Sequence, residues 1–379
     1  MPSPFIYLDH AAATPVDPAV LAAMLPFLKE DFYNPSATYG PARQVRAELD
    51  TARAQVAHWL GAKSSEVAFT AGGTEANNLA VQGIMDRYPE ANVVVSAIEH
   101  ESVLAPAGKY ECRQVRVDNQ GRLDLSDLKS KIDKNTVLVS VGYANNEIGT
   151  VQPIREIARV MAEERSGRKG SGAKPIYFHT DACQAGNYLD LHVARLGVDL
   201  MTLNGGKIYG PKQSGALYVK AGVEPYPVIL GGGQERGLRS GTENVAAAVG
   251  FAAALDQSQA MRREESDRLN GFRQRFIDGI GRTAPKAVLN GSQKYRLPNN
   301  VHLTLPGQDN ERLLIRLEEA GILAAAGSAC SASNEDPSHV LGAIGLSDEE
   351  ARASLRFTMG RATTADMVDR VVEAVGRLL

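Results

Sequence analysis

Lys207 stands in the segment Asn204-Gly205-Gly206-Lys207, directly after the apolar run "DLMTL" (199–203) and just before a Gly-Pro turn. An amine carried out of a glycine-rich turn into a pocket can condense with a carbonyl as a Schiff base. A lysine on a turn can equally be a plain surface residue, the reading that suits its neighbour Lys212. Asp181 follows another apolar run, with Gln184 one helical turn further on in "FHTDACQ". A carboxylate in that place can pair with a protonated ring nitrogen, or simply cap a helix. In "FTAGGTEANN", Gly72 and Gly73 allow a tight turn and Thr74 opens a helix. Free helix N–H groups and a hydroxyl suit a phosphate, although taken alone an N-capped helix explains them as well. The spacing matches neither GxGxxG nor GxxxxGK[ST], which speaks against dinucleotides and P-loop nucleotides. His100 in "AIEHES" could lie flat on an aromatic ring, or be an ordinary core histidine.

Together, an amine for an aldehyde, a carboxylate for a pyridine nitrogen and a cradle for a phosphate point to pyridoxal 5'-phosphate (PLP). Two more residues extend the set. Cys330 lies among Gly, Ser and Ala in "AAAGSACSASNEDPSHVLGAIG" (324–345). That composition predicts a solvated loop able to bring a reactive thiol to a site. Arg356 in "SLRFTMG" offers a planar fork for a substrate carboxylate, with an ordinary salt bridge as the alternative. Cys112, in the strand-like "YECRQVRV", reads as structural; Cys183 adjoins the proposed site but has no loop to carry it.

The elements that must position these groups are short apolar runs alternating with helical patterns. The runs are 66–70, 92–98, 136–142, 175–180, 199–203 and 215–220. This alternation predicts an α/β fold with a mostly parallel sheet buried on both faces. Five of the runs end in polar or glycine-rich clusters, and ligands in such sheets bind beyond the carboxyl ends of the strands. From about residue 256 a charged helix and further strand patterns predict a smaller α+β domain. The expected division is a large domain over 15–255 and a small one over 1–14 and 256–379, the latter carrying the cysteine loop at about 324–338. "VAAAVGFAAAL" (245–255) reads as a buried helix, too short to span a bilayer. The stretch 164–175 reads as a basic surface loop.

Composition fits this picture. The 379 residues carry a formal net charge of −3 with no basic block, so neither direct nucleic-acid binding nor a membrane surface is expected. Three cysteines without a CxxC argue against a disulfide framework or a cysteine-rich metal site. The opening "MPSPFIYLDHAAATP" lacks a basic n-region, so a cytoplasmic protein is expected.

Eleven segments in order, among them "YLDHAAATP", "NPSATYG", "FTAGGTEANN", "NNEIGTVQP", "KIYGPK", "GGGQERGLRSGTEN", "GSACSAS" and "RFTMGR", resemble the cysteine desulfurases. These belong to the class V aminotransferase group of fold-type I PLP enzymes, and the likeness covers nearly the whole chain. The resemblance implies a homodimer with PLP bound through Lys207. It implies that Gly73 and Thr74 hold the phosphate, with Thr242 contributed by the other subunit. His100 stacks on the ring and assists catalysis, Asp181 pairs with the ring nitrogen and Gln184 bonds the phenolic oxygen. Asn34, Asn146 and Arg356 fall to the substrate, Asn146 also touching the cofactor. L-cysteine would lose its sulfur to Cys330 as a persulfide, leaving L-alanine. The sulfur would pass to an acceptor protein, an iron–sulfur scaffold or a tRNA-thiolation protein. No resident metal is implied, although the persulfide could transiently ligate an iron–sulfur cluster. The length of the loop after Cys330 resembles the long-loop members.

The family usually reads Ser-x-His-Lys where this chain has Asn204-Gly205-Gly206-Lys207. The expectation is that Asn204 and the N–H groups of the glycine pair take over phosphate binding, weaker PLP retention being the competing outcome. Housekeeping members also run on into a tail that helps dock the scaffold, whereas this sequence stops at Leu379. The alternatives are a selenocysteine lyase or other class V PLP enzyme and, in a different class, a catalytically idle PLP-fold binding subunit.

Overall fold

The computed structural model describes residues 5–327 and 337–379. After β1 (Ile6–Tyr7) come β2 (Val67–Thr70), β3 (Asn92–Ser96), β4 (Glu111–Val115), β5 (Thr136–Ser140), β6 (Tyr177–Asp181), β7 (Leu200–Asn204) and β8 (Gly215–Val219). The C-terminal part adds β9 (Val288–Leu289), β10 (Asn300–Thr304), β11 (Ile322–Leu323) and β12 (Ser354–Thr358).

The main sheet runs β2-β8-β7-β6-β5-β3-β4. β3, β4, β5, β6 and β7 are paired in parallel. β8 is antiparallel to β7 and also to β2. Two reversals restore the original direction, so β2 points the same way as β7 and β8 alone runs against the rest. The carboxyl end of β2 therefore opens on the same edge as those of β3, β5, β6 and β7.

Both faces of this sheet are covered, which is why its strands read as unbroken apolar runs. Val94, Val139, Phe178 and Met201 pack into one core, while Val93, Val95, Leu138 and Leu200 pack into another on the opposite face with Leu79, Val81 and Ile84. β4 escapes the apolar signature because it is an edge strand of sequence Glu-Cys-Arg-Gln-Val, buried only at Val115.

A third core holds Leu269, Phe276, Val301, Leu303, Leu355 and Phe357. It packs on an antiparallel sheet β12-β10-β9 and on the parallel pair β1-β11. The apolar segment 245–255 and the charged segment after it form one helix of 39 residues, Val245–Thr283. Its first turns bury Val245, Ala248 and Leu255 in the sheet core, and its later turns bury Leu269, Phe276 and Ile280 in the third core. The helix Ile154–Arg168 also runs further than its composition suggests. Arg168 holds its last turn by donating to the carbonyls of Asp133, Thr136 and Lys174. Among the described residues, no helix is long and apolar enough to cross a membrane.

Candidate active site

A cleft of about 880 Å³ opens at the carboxyl edge of the main sheet. It lies over the point where the chain leaves β3 for β4 and returns on the other side to β5, the switch point at which such sheets bind ligands. Gly73, Thr74, His100, Asn146, Asp181, Gln184, Asn204, Lys207 and Arg356 all line it. These residues come from five loops and one strand of the C-terminal sheet.

The helix Gly73–Met85 begins without a side-chain cap, because its N-cap is Gly72 at φ 116°, a backbone that side chains disfavour. Its first N–H groups thus face the cleft with no side chain between, an anion site by construction. Gly73 is glycine for a packing reason as well: a Cβ there would lie 2.6 Å from Cys183 Sγ.

Asp181 is held from two sides. Oδ1 accepts the Cys183 N–H at 2.9 Å and Oδ2 accepts from Asn77 Nδ2 at 2.6 Å. The same Asn77 amide lies 2.8 Å from Ser102 Oγ, which is 2.8 Å from His100 Nδ1. His100 also caps its own helix, Nδ1 accepting the Ser102 N–H at 3.0 Å. Asn77 therefore links two groups that sequence assigns to one ring. Neither Asn77 nor Ser102 stands out in the sequence; the signal was a polar residue on the buried side of the helix opened by Thr74.

Behind Asp181, His179 is buried between Ser140 Oγ (2.8 Å) and Thr202 Oγ1 (3.0 Å). Burial holds it neutral, with its pKa lowered to about 4. Glu99, also missed, lines the cleft with Oε1 accepting the Gly142 N–H at 2.8 Å. Burial first, and the nearby Asp181 carboxylate, push its pKa up to about 8 against the favourable Gly142 contact. The Cys183 thiol is pushed well above its ordinary range by burial and by Asp181.

Lys207 donates to the carbonyls of Ala11 (2.7 Å) and Ala12 (2.6 Å). Gln184 Nε2 donates to the same Ala11 carbonyl at 3.0 Å. Arg356 is 1% exposed yet borders the cleft. One terminal nitrogen lies 2.7 Å from Asp9 Oδ1 and the other donates to the Asn146 carbonyl at 3.1 Å, while Nε has no partner among the described residues. That Nε is itself buried.

Two expectations, the glycine-pair N–H groups and Asn34, are not matched in place. The Gly205 N–H donates to the Ser214 carbonyl at 2.8 Å and the Gly206 N–H to Asn204 Oδ1 at 2.9 Å. The glycine pair thus has its N–H groups committed within the turn, leaving the Asn204 amide nitrogen as the donor. Gly205 is there for packing, since a Cβ would fall 2.1 Å from Ser214 Oγ. Asn34 is not brought to the cleft; its Oδ1 accepts the Ser36 N–H at 2.9 Å in its own exposed turn. Thr242 lines a separate cavity with Phe69, Gln213 and Glu243. Cys330 lies outside the described residues.

The family model described as Aminotransferase class-V matches residues 6–371. The chain belongs to the class-V aminotransferase family. Within it, the chain is 39% identical to the cysteine desulfurase IscS of Dictyoglomus turgidum, over 99% of its own length and 94% of that relative. A solved NifS-like protein superposes with a TM-score of 0.91 at 29% identity over 99% of both chains. A structure of SspA in complex with cysteine gives a TM-score of 0.80 at 34% identity, covering 93% of this chain and 98% of the other.

Class-V aminotransferases of this kind are PLP enzymes, and the cleft fits that group. It offers an uncapped helix terminus, a carboxylate supported by an amide, a lysine amine and, at its border, the Arg356 side chain. Each answers a different part of the cofactor or its amino-acid substrate.

Proposed function

We propose that this protein is a PLP-dependent cysteine desulfurase. It breaks the Cβ–S bond of L-cysteine, forms an S–S bond at Cys330 as a persulfide, and puts a proton on the former Cβ to release L-alanine. The convergence of Lys207, Asp181, Arg356 and the Gly73 helix terminus on one cleft carries this reading.

When bound, PLP supplies an electron sink that stabilises charge next to the substrate amine. This chain's residues provide the rest. Thr74, the Gly73 helix terminus and the Asn204 amide would hold the phosphate. Asp181, fixed by Asn77, would keep a proton on the ring nitrogen. His100, tied to Ser102, would cover the ring. Arg356, bordering the cleft and held in place by Asp9 and Asn146, would receive the substrate carboxylate. The Lys207 amine, poised on two carbonyls, would move protons at the substrate carbon.

A homodimer in the cytoplasm is part of this proposal. The helix Pro18–Lys29 exposes Leu21, Leu25 and Leu28 one turn apart, with Phe32 continuing the line, an apolar stripe suited to a second copy. Thr242, away from this chain's own cleft, would then serve the partner's phosphate. The persulfide sulfur would go to an iron–sulfur scaffold or a tRNA-thiolation protein.

The test is sulfide release from L-cysteine with dithiothreitol, comparing the protein with Cys330→Ala. Release only by the parent supports transfer through Cys330. No release from PLP-loaded parent overturns the desulfurase reading.

A further inference from the structure

A second depression joins the cleft at Gly73, Thr74, Asn204 and Lys207 and extends past Gly206 to Lys212. Its charged residues are Lys207, Lys212 and Glu75. Glu75 is already compensated, accepting the Ala71 N–H at 3.0 Å and lying 2.9 Å from Arg239 Nε. Lys207 is reserved for the carbonyl end of the ligand. A phosphate monoester carries close to two negative charges at neutral pH. The helix terminus, the Thr74 hydroxyl and the Asn204 amide supply donors but no full positive charge.

Lys212 is placed to supply it. Its Nζ donates to the Thr14 carbonyl at 2.7 Å. Thr14 is in turn tied to Gly206, its N–H and Oγ1 reaching the Gly206 carbonyl at 3.0 and 3.2 Å. An ammonium has three N–H donors, and this contact uses one. Gly206 leaves the approach clear: a Cβ there would meet nothing closer than Asn204 Oδ1 at 3.5 Å and Lys212 Cγ at 3.7 Å. The open space beside Gly206 is thus bounded by the stem of Lys212.

We infer that Lys212 is a phosphate-binding residue, the cationic partner of the PLP phosphate in a cradle otherwise built from neutral donors. The inference rests on the reading that the phosphate occupies the Gly73 helix terminus. Lys212, although exposed, is thereby assigned to the site.

The experiment measures dissociation constants of PLP and of pyridoxal, which lacks the phosphate, by equilibrium dialysis against apoprotein resolved from the holoenzyme. Variants are Lys212→Met, Lys212→Arg and Thr74→Val. Lys212→Met is expected to weaken PLP about tenfold, as for loss of a charge-assisted hydrogen bond, and to leave pyridoxal unchanged. Lys212→Arg should recover most of the loss. Equal weakening of both ligands would mean a structural role and overturn the inference. Unchanged PLP affinity in Lys212→Met would overturn it too. In that case a loss in Thr74→Val would leave the cradle standing, and no loss there would remove the phosphate from this helix terminus altogether.

Discussion

Asn77 Nδ2 lies 2.6 Å from Asp181 Oδ2, joining a helix to a strand end across 104 residues of sequence. The same amide nitrogen lies 2.8 Å from Ser102 Oγ, so one side chain sets the position of both Asp181 and the His100 turn. Replacing Asn77 with Leu removes both contacts with a side chain of similar shape and leaves the Asp181 carboxylate to Cys183, whose N–H and thiol both reach it. PLP affinity should fall about tenfold, the scale of one hydrogen bond to a charged group. Asn77→Asp should cost more, since it sets a second carboxylate against the first. Titration of apoprotein with PLP decides the matter, and an unchanged dissociation constant for Asn77→Leu would sink it.

Gly73 and Cys183 are coupled by space. A methyl at Gly73 would meet Cys183 Sγ at 2.6 Å, against 3.4 Å for its next neighbour, the Asn204 side chain. Gly73→Ala alone should destabilise the fold by about 1–3 kcal/mol, the usual cost of overpacking. Adding Cys183→Ala should return most of it, a non-additivity expected of touching residues. Urea denaturation of the two single variants and the double variant measures the coupling; strict additivity would refute it.

The two glycines before Lys207 should behave differently. Gly205→Ala drives a methyl into Ser214 Oγ at 2.1 Å and towards the Pro211 carbonyl at 3.1 Å, whereas Gly206→Ala meets ordinary contacts. We expect Gly205→Ala to lower stability by about 2–3 kcal/mol and Gly206→Ala to change it by less than about 1 kcal/mol. Thermal melting of both variants is the check.

Glu99 makes stability depend on pH. Its pKa rises from the ordinary 4.5 to about 8 on folding, chiefly through burial. Between those values the folded protein holds a proton that the unfolded chain has released, so stability falls as pH rises and the loss is complete above about pH 8. Glu99→Gln removes that penalty while keeping an acceptor for the Gly142 N–H. The variant should gain on the parent steadily from pH 4.5 to 8 and then level off, by a few kcal/mol at most. Denaturant midpoints at several pH values test this; a pH-independent difference would contradict it.

The six apolar runs were legible as strands because burial on both faces leaves little room for polar residues, whereas β4, buried only at Val115, showed no more than a strand-like stretch around Cys112. The chemical residues at the strand ends were legible by type. What sequence hides is the partner of each group: Asn77 reads as one of two adjacent asparagines until Asp181 is seen beside it. Likewise Gly205 and Gly206 are identical letters, and only Ser214 and Lys212 distinguish a glycine needed for packing from one that leaves a space.

Strand β8 gives the sheet a parity. One reversal between β7 and β2 would have sent the Gly73 helix terminus to the far edge, a strand length away from Lys207; two reversals cancel and bring them to the same edge. Gly215, at the start of β8, makes the crossing tight, since a Cβ there would touch the Leu203 carbonyl at 2.5 Å and Gly72 Cα at 2.9 Å. The chain leaving β2 thus meets the end of β7, where a Cβ on Gly73 would stand 3.4 Å from the Asn204 side chain, so the helix terminus and the Lys207 turn border one space. An even number of reversals thereby does the work of proximity, seating two segments more than a hundred residues apart in sequence side by side at one edge.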